Sequence, residues 1–174
     1  MHKTVFHFLI PGIVLALMAG CESGDSTKGY SQESLYRTDI ETVYIQMFES
    51  ESFRREFEYE LTRATSQQLE LHSPYKVVSD PRKADSILHG RIKKISERTL
   101  TRQRELDRPL ENEVVMLIEV TWKDLRSGQI LLDNVPIKVS GDYAALLGAG
   151  RSSATRSALN QAAVRIVEAM ERPW

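Results

Sequence analysis

Segments in which apolar and polar residues alternate recur along this chain, and a period of two is typical of a β-strand with one buried face. The clearest segment spans residues 113–125, where every second position carries an apolar side chain. These positions are Val114, Met116, Ile118, Val120 and Trp122. The same pattern predicts further strands at residues 42–48, 75–78, 86–95 and 130–140.

Two of these strands carry more detailed expectations. In residues 42–48, the alternation predicts one face formed by Val43, Ile45 and Met47, with Tyr44, Gln46 and Phe48 on the other. Gly90 lies in the middle of the strand at residues 86–95, between Leu88 and Ile92 on the same face. Because a glycine inside a strand often marks the close approach of another element, we expect such an approach at Gly90.

Two other segments repeat apolar residues every three or four positions, which is typical of an amphipathic helix. The first follows a predicted cap at Ser50 or Ser52 and runs to about residue 71. Its predicted buried stripe contains Phe53, Phe57, Leu61, Ala64 and Gln68, with Leu71 close beside it. The second follows a predicted cap at Ser152 or Ser153, and its stripe contains Leu159, Ala162, Ala163, Ile166, Val167 and Met170.

The elements therefore follow the order β-α-β-β-β-β-α. Short connections join the last three strands, and Gly128 suits a turn that needs a positive φ. Residues 98–108 form either the end of a hairpin or the continuation of a strand. Pro136 favours an edge position for the last strand, because proline cannot donate a backbone hydrogen bond to a neighbouring strand. The predicted fold is α+β: a two-layer sandwich with a mostly antiparallel sheet of four or five strands and two amphipathic helices on one face.

The start of the chain has a different character. An apolar run follows Lys3 and ends in small residues before Cys21, the one cysteine of the chain. Such a segment is typical of a bacterial lipoprotein signal, shorter than a membrane-spanning helix. We therefore expect residues 1–20 to be a signal peptide, residues 21–38 an acylated cysteine with a flexible tether, and residues 39–174 one folded domain. An ordinary cleaved signal or a short anchor is the alternative.

Composition excludes several classes of function. Beyond the leader the chain has 22 basic and 24 acidic residues, so its net charge of −2 argues against a nucleic-acid partner. Only His72 and His89 remain after the leader, with no second cysteine, so a His/Cys metal cluster is excluded by count. No nucleophile elbow, zinc-protease motif or phosphate-binding glycine loop occurs, and we therefore expect no enzymatic activity.

Taken in order, several pieces resemble the LptE family of lipopolysaccharide-assembly lipoproteins. They cover residues 36–174. The first matching piece, the lipidation signal at Cys21, precedes this range. Within it, the strand at 43–48 leads into Arg55 and Glu60-Leu-Thr62, and the segment Tyr75-Lys-Val-Val78 follows. The remaining pieces are the pair Ala84-Asp85 before Leu88-His-Gly-Arg-Ile92, the strand at 115–122 leading into Asp124-Leu-Arg-Ser-Gly128, and the Ala-rich closing helix.

The resemblance implies a non-catalytic protein on the periplasmic side of the outer membrane. Members of the family plug the LptD β-barrel, help to assemble it and bind lipopolysaccharide there. No cofactor is implied beyond the diacylglycerol and N-acyl chains on Cys21. Because arginine recognises phosphate well, basic residues are candidates for contact with phosphorylated lipid A. These are Arg91, Lys93, Lys94, Arg98, Arg102 and Arg104.

Two alternatives stay open. Lysine and arginine exposed on strands also serve simply to keep sheet edges from aggregating. The chain also shares features with lipoproteins of a TolB-N-terminal-like fold, which bind and regulate envelope proteins such as peptidoglycan synthases. A tether spanning residues 22–38 reaches about 60 Å at most, which favours a partner close to the membrane.

Overall fold

The structure is a computed structural model, and it describes residues 34–51, 55–103, 108–144 and 150–171. The predicted signal peptide, Cys21 and most of the predicted tether lie outside these residues. The strands are β1 (Thr42–Ile45), β2 (Glu49–Ser50), β3 (Lys76–Val77), β4 (Ser86–Gln103), β5 (Arg108–Asp124) and β6 (Ile130–Ala144). The helices are α1 (Arg55–His72) and α2 (Gly150–Ala169), and a 3-10 turn spans Pro81–Lys83.

These strands form one mixed sheet in the order β3-β1-β4-β5-β6. The long strands β4, β5 and β6 pair antiparallel, whereas the short strands β1 and β2 pair in parallel with the same edge of β4. Both helices cover one side of this sheet, with α2 packed on β5 and β6 and α1 packed on α2. The predicted order of elements and the α+β class are confirmed.

The core lies between the sheet and the helices. The five predicted apolar residues of β5 are all buried, and so is the whole predicted stripe of α2. Gly141 of β6 allows the first turn of α2 to come close, because a Cβ there would collide with the carbonyl of Ala154. The strand predicted to end at residue 140 in fact continues through Gly141 to Ala144, and the missing side chain of Gly141 lets helix and sheet come close.

The first strand contradicts part of its predicted alternation. Met47 is 56% exposed, whereas Phe48 is buried. The reason is that β1 ends at Ile45 and the chain leaves regular strand geometry before β2. The alternation is therefore interrupted, so that Phe48 rather than Met47 faces the core. The ring of Phe48 then lies against Gly90, where a Cβ would stand 2.5 Å from the Phe48 Cε1 atom. The close approach predicted at Gly90 is confirmed.

The helix ends differ from their predicted positions. Leu69 is buried in α1, whereas Leu71 is 74% exposed. The buried stripe therefore continues at Leu69, one residue after the predicted position Gln68, and does not reach Leu71. Ser50 lies in β2 and does not cap α1, while the alternative cap Ser52 and the stripe residue Phe53 lie outside the described residues. The caps predicted at Ser152 and Ser153 are wrong, since α2 already includes both serines in its first turn.

Asp85 organises the end of the sheet where β1 and β4 begin. Its Oδ2 atom accepts hydrogen bonds from the amides of Glu41 (3.0 Å) and Thr42 (2.9 Å) and from the Thr42 hydroxyl (2.9 Å). Burial raises the pKa of Asp85, but these hydrogen bonds and the nearby Arg126 guanidinium lower it further, below its usual value. The carboxylate thus fastens β1 to the chain that leads into β4.

Candidate functional site

The two helices leave one side of the sheet uncovered, and this side, called the outer face, carries most of the predicted site residues. On β5 the buried positions alternate with partly exposed ones that include Val115, Leu117 and Glu119. Strand pairing aligns them with β4 on one side and β6 on the other. The rows are Arg91–Glu119–Pro136, Lys94–Leu117–Lys138 and Arg98–Glu113–Asp142.

Arg91 and Lys93 are held by acidic residues of the chain itself. Arg91 contacts the carboxylates of Glu49 at 3.3 Å and Glu51 at 3.7 Å. The Lys93 ammonium donates to Glu51 at 2.6 Å and lies 3.9 Å from Glu119. The hydrogen bond between Lys93 and Glu51 raises the pKa of Lys93 and lowers the pKa of Glu51. Both cations therefore join β2 to β4, which weakens their case as ligands for an external phosphate.

Arg98 is also paired within the chain. Its guanidinium donates two hydrogen bonds to the Glu113 carboxylate, at 3.0 and 2.5 Å. Hydrogen bonds from Ser140 and then from Arg98 hold the pKa of Glu113 below its usual value. Arg102 is exposed near the end of β4 and has a partner of its own, and Arg104 lies outside the described residues.

Among the predicted cations that the structure describes, Lys94 alone has a side chain without an interaction partner. A bulge between Ile92 and Lys94 shifts the register, so Lys94 lies opposite Leu117 on the outer face. Leu117 in turn pairs with Lys138 of β6, which is also exposed and unpaired within the described residues. Two strand spacings separate the lysines, so their Cβ atoms stand about 10 Å apart across an apolar side chain.

Sequence reasoning missed Lys138. It lies 44 positions after Lys94, and only the β4–β5–β6 register brings the two together. The signal available was its place between Ile137 and Val139, since alternation puts it on the side opposite the core. Without the bulge position, however, Lys94 could not be assigned to the same face.

Two further findings limit the chemistry of the described residues. None of their helices is both long and apolar enough to cross a membrane. No cluster of three or more His, Cys, Asp or Glu side chains among them has the arrangement that a metal ion needs. The outer face carries a row of two lysines and a leucine beside paired charges.

The fold is shared with several bacterial proteins of known structure, two of which are named as lipoproteins. Lipoprotein B from Nitrosomonas europaea superposes with a TM-score of 0.55 at 16% identity, covering 80% of this chain and 88% of that one. Rare lipoprotein B from Shewanella oneidensis gives 0.50 at 19% identity, covering 73% and 92%. PelC from Paraburkholderia phytofirmans gives 0.50 at 9% identity, covering 82% and 96%.

These likenesses define the class of fold, a two-layer α+β domain with one open sheet face. The sequence goes further, because the model of the LptE lipopolysaccharide-assembly family matches residues 40–172. The chain belongs to the LptE family, as its motifs predicted. No match was found among curated protein sequences.

Proposed function

We propose that this protein is an outer-membrane lipoprotein, anchored through acyl chains on Cys21, that plugs and helps to assemble an LptD-like β-barrel and assists lipopolysaccharide transport to the cell surface. Membership of the LptE family supports this role, and so does the lipidation signal that ends at Cys21. The role is non-catalytic and needs no cofactor besides the lipid anchor.

The observation that carries the lipopolysaccharide part of the proposal is the row Lys94–Leu117–Lys138. Two cations that form no ion pair among the described residues flank an apolar side chain on a face without helices, and the charge of Lys138 acts on the Glu113 carboxylate only at longer range. A phosphorylated lipid offers the complement, anionic oxygens beside hydrocarbon. Lysine binds phosphate as a compact positive charge, which suits an exposed site on a sheet. Arg91, Lys93, Arg98, Arg102 and Arg104 remain secondary candidates.

The test is lipopolysaccharide binding by the double variant Lys94→Ala/Lys138→Ala. We expect affinity to fall about tenfold or more, since hydrogen bonds to charged groups contribute roughly 1.5–3 kcal/mol each and solvent exposure reduces that figure. The matched control is Lys76→Ala/Lys83→Ala, which removes two exposed lysines, one in the edge strand β3 and one in the 3-10 turn that follows it. Binding to the unaltered protein should also weaken as salt rises.

Equal affinities for the double variant and the control would remove the lysine row from the proposal. Arg98→Ala then becomes informative as a separate variant. Its guanidinium is already bound to Glu113, so we expect a smaller loss of affinity than for the lysine pair. A larger loss from Arg98→Ala would return the site to the arginines of β4.

The partner is tested by purifying the intact lipoprotein from its native membranes in mild detergent and identifying what accompanies it by mass spectrometry. A large β-barrel in near-equal amount supports the plug role. A peptidoglycan synthase instead supports the alternative of an envelope-protein adaptor with a TolB-N-terminal-like fold. The anchor is tested by palmitate labelling, which should be lost in Cys21→Ser and retained in the unaltered protein.

A further inference from the structure

A polar cleft of about 310 Å³ opens on the outer face where the chain passes from β1 to β2. Gln46 and Met47 form one wall, and Asn134 of β6 lies at the other. His89 and Thr121, which are paired across β4 and β5, line the cleft between them. Its volume lies at the lower end of the roughly 300–1,000 Å³ range of small-molecule pockets.

Groups in this cleft are left with unused hydrogen-bonding capacity. The Nδ1 atom of His89 is buried and has no partner in the part of the chain that the structure describes. A buried polar atom without a partner is costly, and it calls for an explanation such as a ligand or an ordered water. The exposed side-chain amide of Gln46 also makes no hydrogen bond within the described residues, so it offers a donor and an acceptor at the rim.

The wall opposite is held in a fixed conformation. Asn134 has a positive φ of 47°, an uncommon backbone conformation for a residue other than glycine. The Thr121 hydroxyl accepts from the Asn134 amide at 3.2 Å and donates to its side-chain oxygen at 3.3 Å. The Asn134 side chain in turn donates to Asp133 at 2.7 Å. This local strain shapes the cleft before any ligand arrives.

The charges around the cleft are already neutralised. Glu49 is paired with Arg91, and Glu119 lies 3.9 Å from Lys93. An ionic ligand would therefore have to displace an existing ion pair. A neutral ligand rich in hydroxyl groups fits better, because each hydroxyl both donates and accepts and so pairs with either end of the Gln46 side-chain amide at the rim. The exposed Met47 side chain offers an apolar surface to the C–H face of such a ligand.

We propose that this cleft binds a neutral sugar ring, and, resting on the proposed function, that the ring is one of the neutral sugars in the saccharide part of lipopolysaccharide. The geometry relates the two sites directly. Thr121 lies four residues from Leu117 along β5, which is about 13 Å at the rise of a strand. The cleft thus lies within reach of the sugars attached to a phosphorylated lipid held at Lys94 and Lys138.

The experiment measures binding of two separate probes by calorimetry to the full-length protein in detergent. One probe is the oligosaccharide released from lipopolysaccharide by mild acid, which lacks lipid A, and the other is lipid A itself. Gln46→Leu should weaken oligosaccharide binding about tenfold, the equivalent of one lost hydrogen bond, and leave lipid A binding unchanged. The matched control is Gln67→Leu, at an exposed position of α1.

His89→Phe provides a second variant, since it keeps a ring in the lining of the cleft and removes the polar edge of the imidazole. We expect it also to weaken oligosaccharide binding, with thermal stability retained. Conversely, Lys94→Ala/Lys138→Ala should weaken lipid A binding and leave the oligosaccharide affinity unchanged.

The outcomes separate the two proposals. Absence of oligosaccharide binding, or affinities unchanged in both cleft variants, overturns the sugar site while the lysine row is judged by lipid A alone. Oligosaccharide binding that depends on Gln46 and His89, without lipid A binding that depends on the lysines, supports the sugar site and overturns the proposed phosphate contact. Equal binding of an unrelated neutral glucan overturns the assignment to lipopolysaccharide.

Discussion

Replacing Asp85 with alanine gives the sharpest test of how this fold is held together. The change removes one carboxylate oxygen that accepts three hydrogen bonds, two from main-chain amides at the start of β1 and one from the Thr42 hydroxyl. The Asp85 side chain is 24% exposed, so water replaces these bonds only in part. Hydrogen bonds to charged groups contribute roughly 1.5–3 kcal/mol each, but they share one acceptor and are not additive.

We therefore expect Asp85→Ala to lower the free energy of unfolding by about 2–4 kcal/mol, a large part of the roughly 5–15 kcal/mol of a typical domain. Asp85→Asn should cost about half as much, because its carbonyl oxygen accepts the same three bonds without the charge. Urea unfolding followed by circular dichroism measures both. The matched control is Asp80→Ala, which removes a carboxylate from an exposed turn where it accepts from Arg82.

The pH dependence follows from the lowered pKa of Asp85. A carboxyl whose pKa is lower in the folded protein stabilises it above the unfolded pKa of about 3.9, and this contribution is lost as the pH falls through the folded pKa. The difference between the unaltered protein and Asp85→Asn should thus be full at pH 7 and shrink in acid. A difference that persists unchanged in acid, or a loss in Asp85→Ala no greater than in Asp80→Ala, would refute the reasoning.

Three other substitutions test the packing. Gly141→Ala places a Cβ against the Ala154 carbonyl, so α2 must move away from β6. We expect the free energy of unfolding to fall by about 1–3 kcal/mol, measured by thermal denaturation. An unchanged melting temperature would contradict this contact. Trp122→Phe removes the 3.0 Å hydrogen bond to the buried Ser86 hydroxyl and should cost about 1–3 kcal/mol in urea, part of which Ser86→Ala should restore. Gly128→Ala forces a side chain into φ 74° and should cost about 1 kcal/mol, whereas Gly128→Asn should cost less.

The sequence by itself determined the elements and the family. The alternation in β5 and the buried stripe of α2 are strong sequence signals because each is long and continuous. Since one side of each element is buried, the pattern also fixes which residues point into the core. Gly90 and Gly128 could also be interpreted from the sequence. A glycine inside a strand indicates a close approach of another element, and a glycine in a turn indicates a positive φ. The order of motifs from Tyr75 to Gly128 identified the family that the match at residues 40–172 then showed.

Only the tertiary structure decided which side chains meet across the sheet. The break after Ile45 reversed Met47 and Phe48, and the bulge before Lys94 placed that lysine beside Leu117 and Lys138. A shift of one residue turns a side chain to the other face, and neither shift is visible in composition or period. Strand pairing also gave Arg91, Lys93 and Arg98 acidic partners from other segments of the chain. The candidate site thus rests on strand pairing, which a local pattern does not specify.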